Sequence, residues 1–226
     1  MLSPTPRRPR VISHIPYLLP TCIPPCTAQI IMQFTSLIPV AAALFASANA
    51  ALIGSAGPAK CASETVAYEG LIGKDNNVKF VASRCNDAPH VSANGVISKR
   101  QSSNGTVSDV CGASCNTFCF SGGSGGPNQA DCQVIADALL YDSQNTGPLF
   151  NITAAGTPTD KITMQYQSCL TYFLNQDSSD LEYCRSDWSS LVTWLSSDCD
   201  SANSAHGGLC VAADQRWYIQ VQNTSG

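Results

Sequence analysis

Apolar and polar residues alternate along several short stretches in the second half of the chain, which is the pattern of half-buried β-strands. In the stretch 216–222, Trp217, Ile219 and Val221 fall on one side of an extended chain. The other side carries an aromatic ring and two amides: Tyr218, Gln220 and Gln222. Further strands are predicted at four stretches: 116–120, 149–153, 161–168 and 209–213.

A different periodicity predicts two helices. The first runs over 128–141, where Asn128 can cap the start with Asp131 three residues later. Its predicted apolar face consists of Cys132, Ile135, Ala136, Leu139 and Leu140. The second runs over 186–197, with Trp188, Leu191, Val192 and Leu195 on one face and Trp194 off that face, where we expect it to be exposed. Strands and two helices in this order indicate an α+β fold with a mostly antiparallel sheet.

The N-terminal region holds an export signal. A short apolar run at 37–46 precedes the small-x-small sequence Ala48-Asn49-Ala50, so we interpret 32–50 as a signal peptide cleaved after Ala50. The run is too short to span a bilayer. Residues 1–31 precede this signal, which predicts that Met32 is the true start and that 1–31 is an upstream extension. The alternative is that the basic residues at 7–10 serve as a distant part of the signal.

A second processing signal is the dibasic pair Lys99-Arg100 in a polar stretch. Proteases of the secretory pathway cut after such pairs, and exposed polar loops are where chains are nicked. We therefore interpret 51–100 as a propeptide or linker and 101–226 as the mature domain. The alternative is an ordinary solvated charge pair.

Twelve cysteines are the main compositional feature, and the processing signals divide them into even groups. Two precede the signal peptide, two lie between Ala50 and Arg100, and eight follow, in this order: Cys22, Cys26; Cys61, Cys85; Cys111, Cys115, Cys119, Cys132, Cys169, Cys184, Cys199 and Cys210. Each piece can thus close its own disulfides, and the pairing among the eight stays open. Metal binding by Cys111, Cys115 and Cys119 is the alternative, but an oxidising compartment favours disulfides and His206 is the only histidine after Arg100.

Charge excludes some partners. The whole chain carries a formal charge of −4, and 101–226 has 3 basic against 12 acidic residues, a net charge of −9. Such a domain is a poor ligand for a nucleic acid or an anionic membrane surface. Three N-glycosylation sequons, at Asn104, Asn151 and Asn223, agree with export.

Catalytic patterns are present but weak. Ser124 lies in a Gly-x-Ser-x-Gly match, with Asp187 or Asp200 and His206 as possible partners, but a glycine-rich tract matches this pattern readily and Pro127 delays the following helix. A glycosidase needs two carboxylates flanking the bond, and the sequence singles out no pair. We therefore expect no catalytic residues, no cofactor and no metal.

Aromatic residues beside amides suit carbohydrate, because Trp and Tyr rings stack on sugar C–H faces while amides bind hydroxyls. Tyr218, Gln220 and Gln222 are the first candidate binding set, and Trp194 is the second. Core packing is the alternative for each ring.

Five stretches together resemble small, secreted, cysteine-rich fungal proteins related to a glycan-binding lectin of an edible mushroom: 115–120, 131–135, 168–169, 183–188 and 214–221. The resemblance covers about Val110 to Gln222. It implies a compact, disulfide-rich α/β sandwich that recognises glycans without catalysis. We expect a secreted, extracellular protein that binds neutral glycans. A secreted effector or inhibitor that binds a host or competitor protein is the alternative, and a small secreted hydrolase is the less favoured one.

Overall fold

The computed structural model describes residues 58–94, 107–120, 125–199 and 206–225, and the backbone of 97–99. The strands are β1 (Ser63–Ile72), β2 (Val78–Asn86), β3 (Pro89–Val91), β4 (Ile97–Lys99), β5 (Ser108–Asp109), β6 (Cys115–Cys119), β7 (Leu149–Ile152), β8 (Lys161–Tyr166), β9 (Cys169–Asn175), β10 (Leu181–Cys184), β11 (Gly208–Ala212) and β12 (Trp217–Asn223). The helices are α1 (Gln129–Asn145) and α2 (Arg185–Ser197). Among the residues described here, no helix is long and apolar enough to span a membrane.

Seven strands form one antiparallel sheet in the order β1-β2-β8-β9-β12-β11-β6. A small sheet, β5-β10-β7, contains the parallel pair β5–β10, and β3 and β4 form a separate antiparallel pair. This confirms the predicted disulfide-rich α+β fold with two helices and a mostly antiparallel sheet. The five predicted strands and both helices are present, with ends shifted by a few residues.

Both helices pack on one face of the seven-stranded sheet, which we call the helix face. Asn128 is the N-cap of α1, and its side chain accepts a hydrogen bond from the backbone N–H of Ala130. The main core lies between the helices, the small sheet and this face, and includes Ile135, Leu139 and Trp188. Of the apolar face predicted for the first helix, only Leu140 is wrong, because it is 42% exposed.

The opposite face of the sheet, which we call the outer face, is also largely buried. A second apolar cluster lies on it, formed by Tyr172, Leu174, Leu209, Val211 and Tyr218 together with Ala59, Cys85, Ala88 and Val91. The last four belong to the described residues before Arg100, which we call the leading segment. This segment therefore contributes β1 and β2 to the edge of the main sheet and also covers part of its outer face.

Five disulfides link the described cysteines, and they follow the predicted even groups. Cys61 pairs with Cys85 inside the leading segment. The other eight pair among themselves, as Cys111–Cys184, Cys115–Cys210, Cys119–Cys199 and Cys132–Cys169. Cys22 and Cys26 lie outside the described residues.

Candidate functional site

The predicted binding row on β12 faces away from the main core, but its central members are not exposed. Tyr218 is 1% exposed and Gln220 is fully buried, whereas Gln222 is partly exposed. Alternation assigned the correct face, since Trp217 belongs to the main core. The prediction of exposure for Tyr218 and Gln220 was wrong because the leading segment forms a second layer over that face.

Gln220 of this row and the neighbouring Tyr172 of β9 bind backbone groups of the leading segment. The Gln220 side-chain oxygen accepts a hydrogen bond from the Ala59 N–H at 2.9 Å, and its amide nitrogen donates to the Gln222 side chain. The Tyr172 hydroxyl donates to the carbonyl oxygen of Ala59. Both backbone groups of Ala59 are thus held by side chains of the sheet.

Tyr172 is the buried centre of this cluster. Its ring meets that of Tyr218 edge-on, with centroids 5.8 Å apart, and the Lys161 ammonium lies 4.3 Å from its centroid. Lys161 also forms an ion pair with Glu64 of β1 at 2.5 Å. Burial, followed by the proximity of Tyr218, raises the pKa of Tyr172 well above its usual value, so the hydroxyl stays protonated and can donate.

Trp194 is exposed, as its position off the apolar face of the second helix predicts: 41% of it is accessible on α2. It does not line the cleft described next.

An open cleft of about 300 Å³ lies between α1 and the turn that joins β1 to β2. Its lining residues are Lys74, Asp75, Asn77, Val134, Asp137, Ala138 and Tyr141. The turn side comes from the leading segment, and the helix side comes from the domain after Arg100. Neither piece forms the cleft alone.

The turn is fixed against the helix at Gly73. This glycine has φ +83°, and a Cβ there would lie 2.7 Å from the Ala138 Cβ, so a larger residue would push the turn off α1. The Gly73 N–H donates to the Asp142 carboxylate at 3.4 Å, and the Asn76 N–H closes the turn onto the Gly73 carbonyl at 3.1 Å. The polar residues that follow are thereby held at the rim of the cleft.

The helix side presents an aromatic ring beside a carboxylate. Asp137 and Tyr141 are four residues apart on the exposed side of α1, and 39% of Tyr141 is accessible. The Gln133 amide donates to the Asp137 carboxylate at 2.8 Å, which orients that acceptor. A ring, two carboxylates, an amide and an ammonium thus line one concave surface.

Sequence reasoning missed this cleft. The i, i+4 spacing of Asp137 and Tyr141 was a usable signal on the helix side. The other half comes from 51–100, which the dibasic pair had marked as a propeptide or linker.

Of the possible catalytic residues, the structure describes Asp187 and His206. Ser124 and Asp200 lie outside the described residues. Asp187 accepts a hydrogen bond from the Gly112 N–H at 2.8 Å, and His206 sits beside Gly126 with a buried Nδ1 that has no partner among the described residues. Asp131, another acid near a helix start, accepts two hydrogen bonds from Ser168.

The thiols considered for metal binding are all in disulfides, each of Cys111, Cys115 and Cys119 with a different partner. Over the ranges described, no cluster of three or more His, Cys, Asp or Glu residues could hold a metal ion.

Two sequons fall on described residues. Asn151 is exposed on β7, an edge strand of the small sheet. Asn223 is partly exposed, and its amide nitrogen donates to the Gly126 carbonyl at 3.1 Å. Asn104 and the processing positions Ala50 and Arg100 lie outside the described residues.

Comparison of the chain with protein families, with curated proteins and with solved structures finds no match.

Proposed function

We propose that this chain is a secreted, non-catalytic carbohydrate-binding protein whose ligand site is the cleft between α1 and the β1–β2 turn. The observation that carries the proposal is the exposed Tyr141 ring standing beside Asp137, Asp75 and Asn77. A sugar offers a C–H face to such a ring and hydroxyl donors to carboxylates, and an amide serves both hydroxyl donors and acceptors. The proposal moves the site from the predicted row on β12 to this cleft.

Neutral glycans are the proposed ligand class. Two carboxylates and one ammonium, from Asp75, Asp137 and Lys74, line the cleft, and the domain after Arg100 carries a net charge of −9. Sulfated or sialylated glycans would approach a surface of like charge.

Export and processing complete the proposal. Five disulfides are typical of a protein that matures in an oxidising compartment. We propose cleavage of the signal peptide after Ala50 and of the chain after Lys99-Arg100, with N-glycosylation at Asn104 and Asn151. For Asn223, the hydrogen bond of its amide nitrogen to Gly126 competes with modification.

The test is an array of neutral, sialylated and sulfated glycans probed with the full secreted protein and two variants. Tyr141→Ala should weaken neutral-glycan binding by about 1–3 kcal/mol, roughly fivefold to 150-fold. Trp194→Ala is the matched control, because Trp194 is 41% exposed against 39% for Tyr141 but lies on α2. Loss of binding in the Trp194 variant alone would move the site to α2. Binding to no glycan would exclude the proposed function.

A specific observation also favours the second candidate, a secreted effector or inhibitor that binds a protein. Strand β1 forms one edge of the main sheet, and Val66, Tyr68 and Leu71 on it are each more than half exposed. An exposed apolar edge strand can pair with a strand of another protein. Val66→Lys should abolish capture of a protein partner and leave glycan binding unchanged.

A further inference from the structure

The leading segment and the domain after Arg100 share one sheet but no described disulfide. Cys61 and Cys85 pair with each other, and the other four bridges join residues after Arg100. If the backbone is cut after Arg100, as the proposed function includes, only non-covalent contacts hold the two pieces together.

Those contacts include a strand pairing of five residue pairs. Strand β2 pairs antiparallel with β8 from Lys79↔Gln165 to Ser83↔Lys161. Val78 of β2 is buried in the main core with Ile162 and Met164 of β8. Loss of the leading segment would expose this core and leave β8 as an unpaired edge.

Side chains in the sheet strands, or directly beside them in the chain, also bind the backbone of the leading segment at three further points. The side-chain amide of Gln176 accepts from the Val91 N–H at 2.5 Å and donates to the Val91 carbonyl at 2.9 Å. The Asp160 carboxylate accepts from the Cys85 N–H at 2.8 Å, and the Asn116 amide donates to the Ala93 carbonyl at 3.0 Å. With the two bonds to Ala59, these contacts recognise backbone groups rather than exposed side chains.

A cut after the dibasic pair would leave every one of these contacts in place. Lys99 ends β4, which pairs with β3, so a cut after Arg100 leaves both strands of this hairpin in the leading segment. The next described strand, β5, begins at Ser108.

We infer that the leading segment is a permanent second chain of the mature protein, held non-covalently after cleavage at Lys99-Arg100, and not a released propeptide. The side-chain hydrogen bonds to backbone groups of the leading segment, together with the shared cores, make the cut protein one folded unit. The cleft with Tyr141 then belongs to two chains, since its turn side comes from the leading segment. The inference rests on the proposed cleavage and makes the proposed glycan site dependent on both chains.

The test begins with the purified full chain and a kexin-type protease. Denaturing, non-reducing mass spectrometry should show two fragments separated after Arg100, and native mass spectrometry should show one particle with their summed mass. Two separate native particles would overturn retention, and an uncut chain would overturn the cleavage on which it rests. Failure of the glycan array affects neither result, so the two proposals can fail separately.

A pair of variants tests the hydrogen bonds between the Gln176 side chain and the Val91 backbone. Gln176→Glu replaces the amide that donates to the Val91 and Gln215 carbonyls with a carboxylate facing the same oxygens. After cleavage, this variant should release the leading segment roughly tenfold faster than the wild type. Gln144→Ala, at an exposed position on α1, is the control and should release it at the wild-type rate. Equal release rates for both variants would show that the hydrogen bonds between Gln176 and Val91 do not hold the leading segment.

Discussion

The central strands of the seven-stranded sheet are buried on both faces, but by different kinds of cover. On the helix face, α1, α2 and the small sheet enclose a core with five aromatic rings in mutual contact: Phe150, Phe173, Tyr183, Trp188 and Trp217. On the outer face, the cover consists of short stretches of the leading segment held through their backbone by Gln176, Gln220 and Tyr172. A helix with a regular apolar period can be predicted from its own sequence. Short irregular stretches that cover a sheet have no such period, so only their tertiary contacts identify them.

Truncating one large ring on each face compares the two cores most directly. Trp217→Ala should lower the free energy of unfolding by about 3–5 kcal/mol, because the ring is fully buried among Phe173 and Tyr183. Tyr218→Ala should cost about 3 kcal/mol, because this ring is also buried and packs on Tyr172. Chemical denaturation measures both. A Tyr218 variant as stable as the wild type would show that the outer face is not a packed core.

Removing the disulfide of the leading segment tests whether the cover behaves as its own unit. The Cys61→Ser, Cys85→Ser double variant opens a bridge with a sequence separation of 24 and should cost about 3 kcal/mol. Hydrogen exchange should then speed up at Ala88 and Val91 and change little at Ile219, which is in the main core. Faster exchange spread evenly over both faces would contradict the separation into two cores.

Alkaline pH probes the buried tyrosines of the protein. Burial raises the pKa of Tyr172 on the outer face and the pKa of Tyr183 in the main core. Because a raised folded-state pKa favours the protonated hydroxyl, its stabilisation is complete below the unfolded value of about 10 and is lost as the pH rises above it. Tyr172→Phe should lower stability at pH 7 by about 1 kcal/mol through loss of the bond to Ala59, and should make the alkaline loss shallower. An unchanged alkaline profile would mean that Tyr172 does not resist ionisation.

The smallest effect is expected at the exposed rings. Tyr141→Ala and Trp194→Ala should each change the free energy of unfolding by no more than about 0.5 kcal/mol, because both rings lie on the solvent side of their helices. Thermal unfolding measures this, and it also shows whether the glycan-array variants are folded. A large loss for Tyr141→Ala would mean that the ring supports the fold rather than a ligand.

Several elements were predictable because their signals are local. The cap at Asn128, the apolar face of α2 and the alternation on β12 each depend on residues close in sequence. Strand β9 was missed because its central residues are buried on both faces, so it gives an apolar run without alternation. Strand β1 was missed for the opposite reason, since nearly all of it is exposed and no face is selected.

The candidate site was less predictable than the fold. Alternation correctly separated Trp217 from Tyr218. It could not show that Tyr218 is covered by the leading segment, which lies more than 100 positions earlier in the chain. The exposure of Trp194 was predictable because a helix face is defined by its own period. The cleft was not, because it joins α1 to a turn of the leading segment.

By itself, the sequence determined the even grouping of the cysteines, the two helices and the side of β12 that faces the main core, because each depends on spacing along the chain. Only the tertiary structure decided which cysteines pair, what lies over the outer face and where an exposed aromatic ring meets polar groups. These depend on residues distant in sequence that the fold brings together: Ala59 bonds to Gln220, and Asp75 and Tyr141 line one cleft. Whether a side chain is buried depends on the whole layer packed against it. The pattern of one strand shows only that its two sides differ.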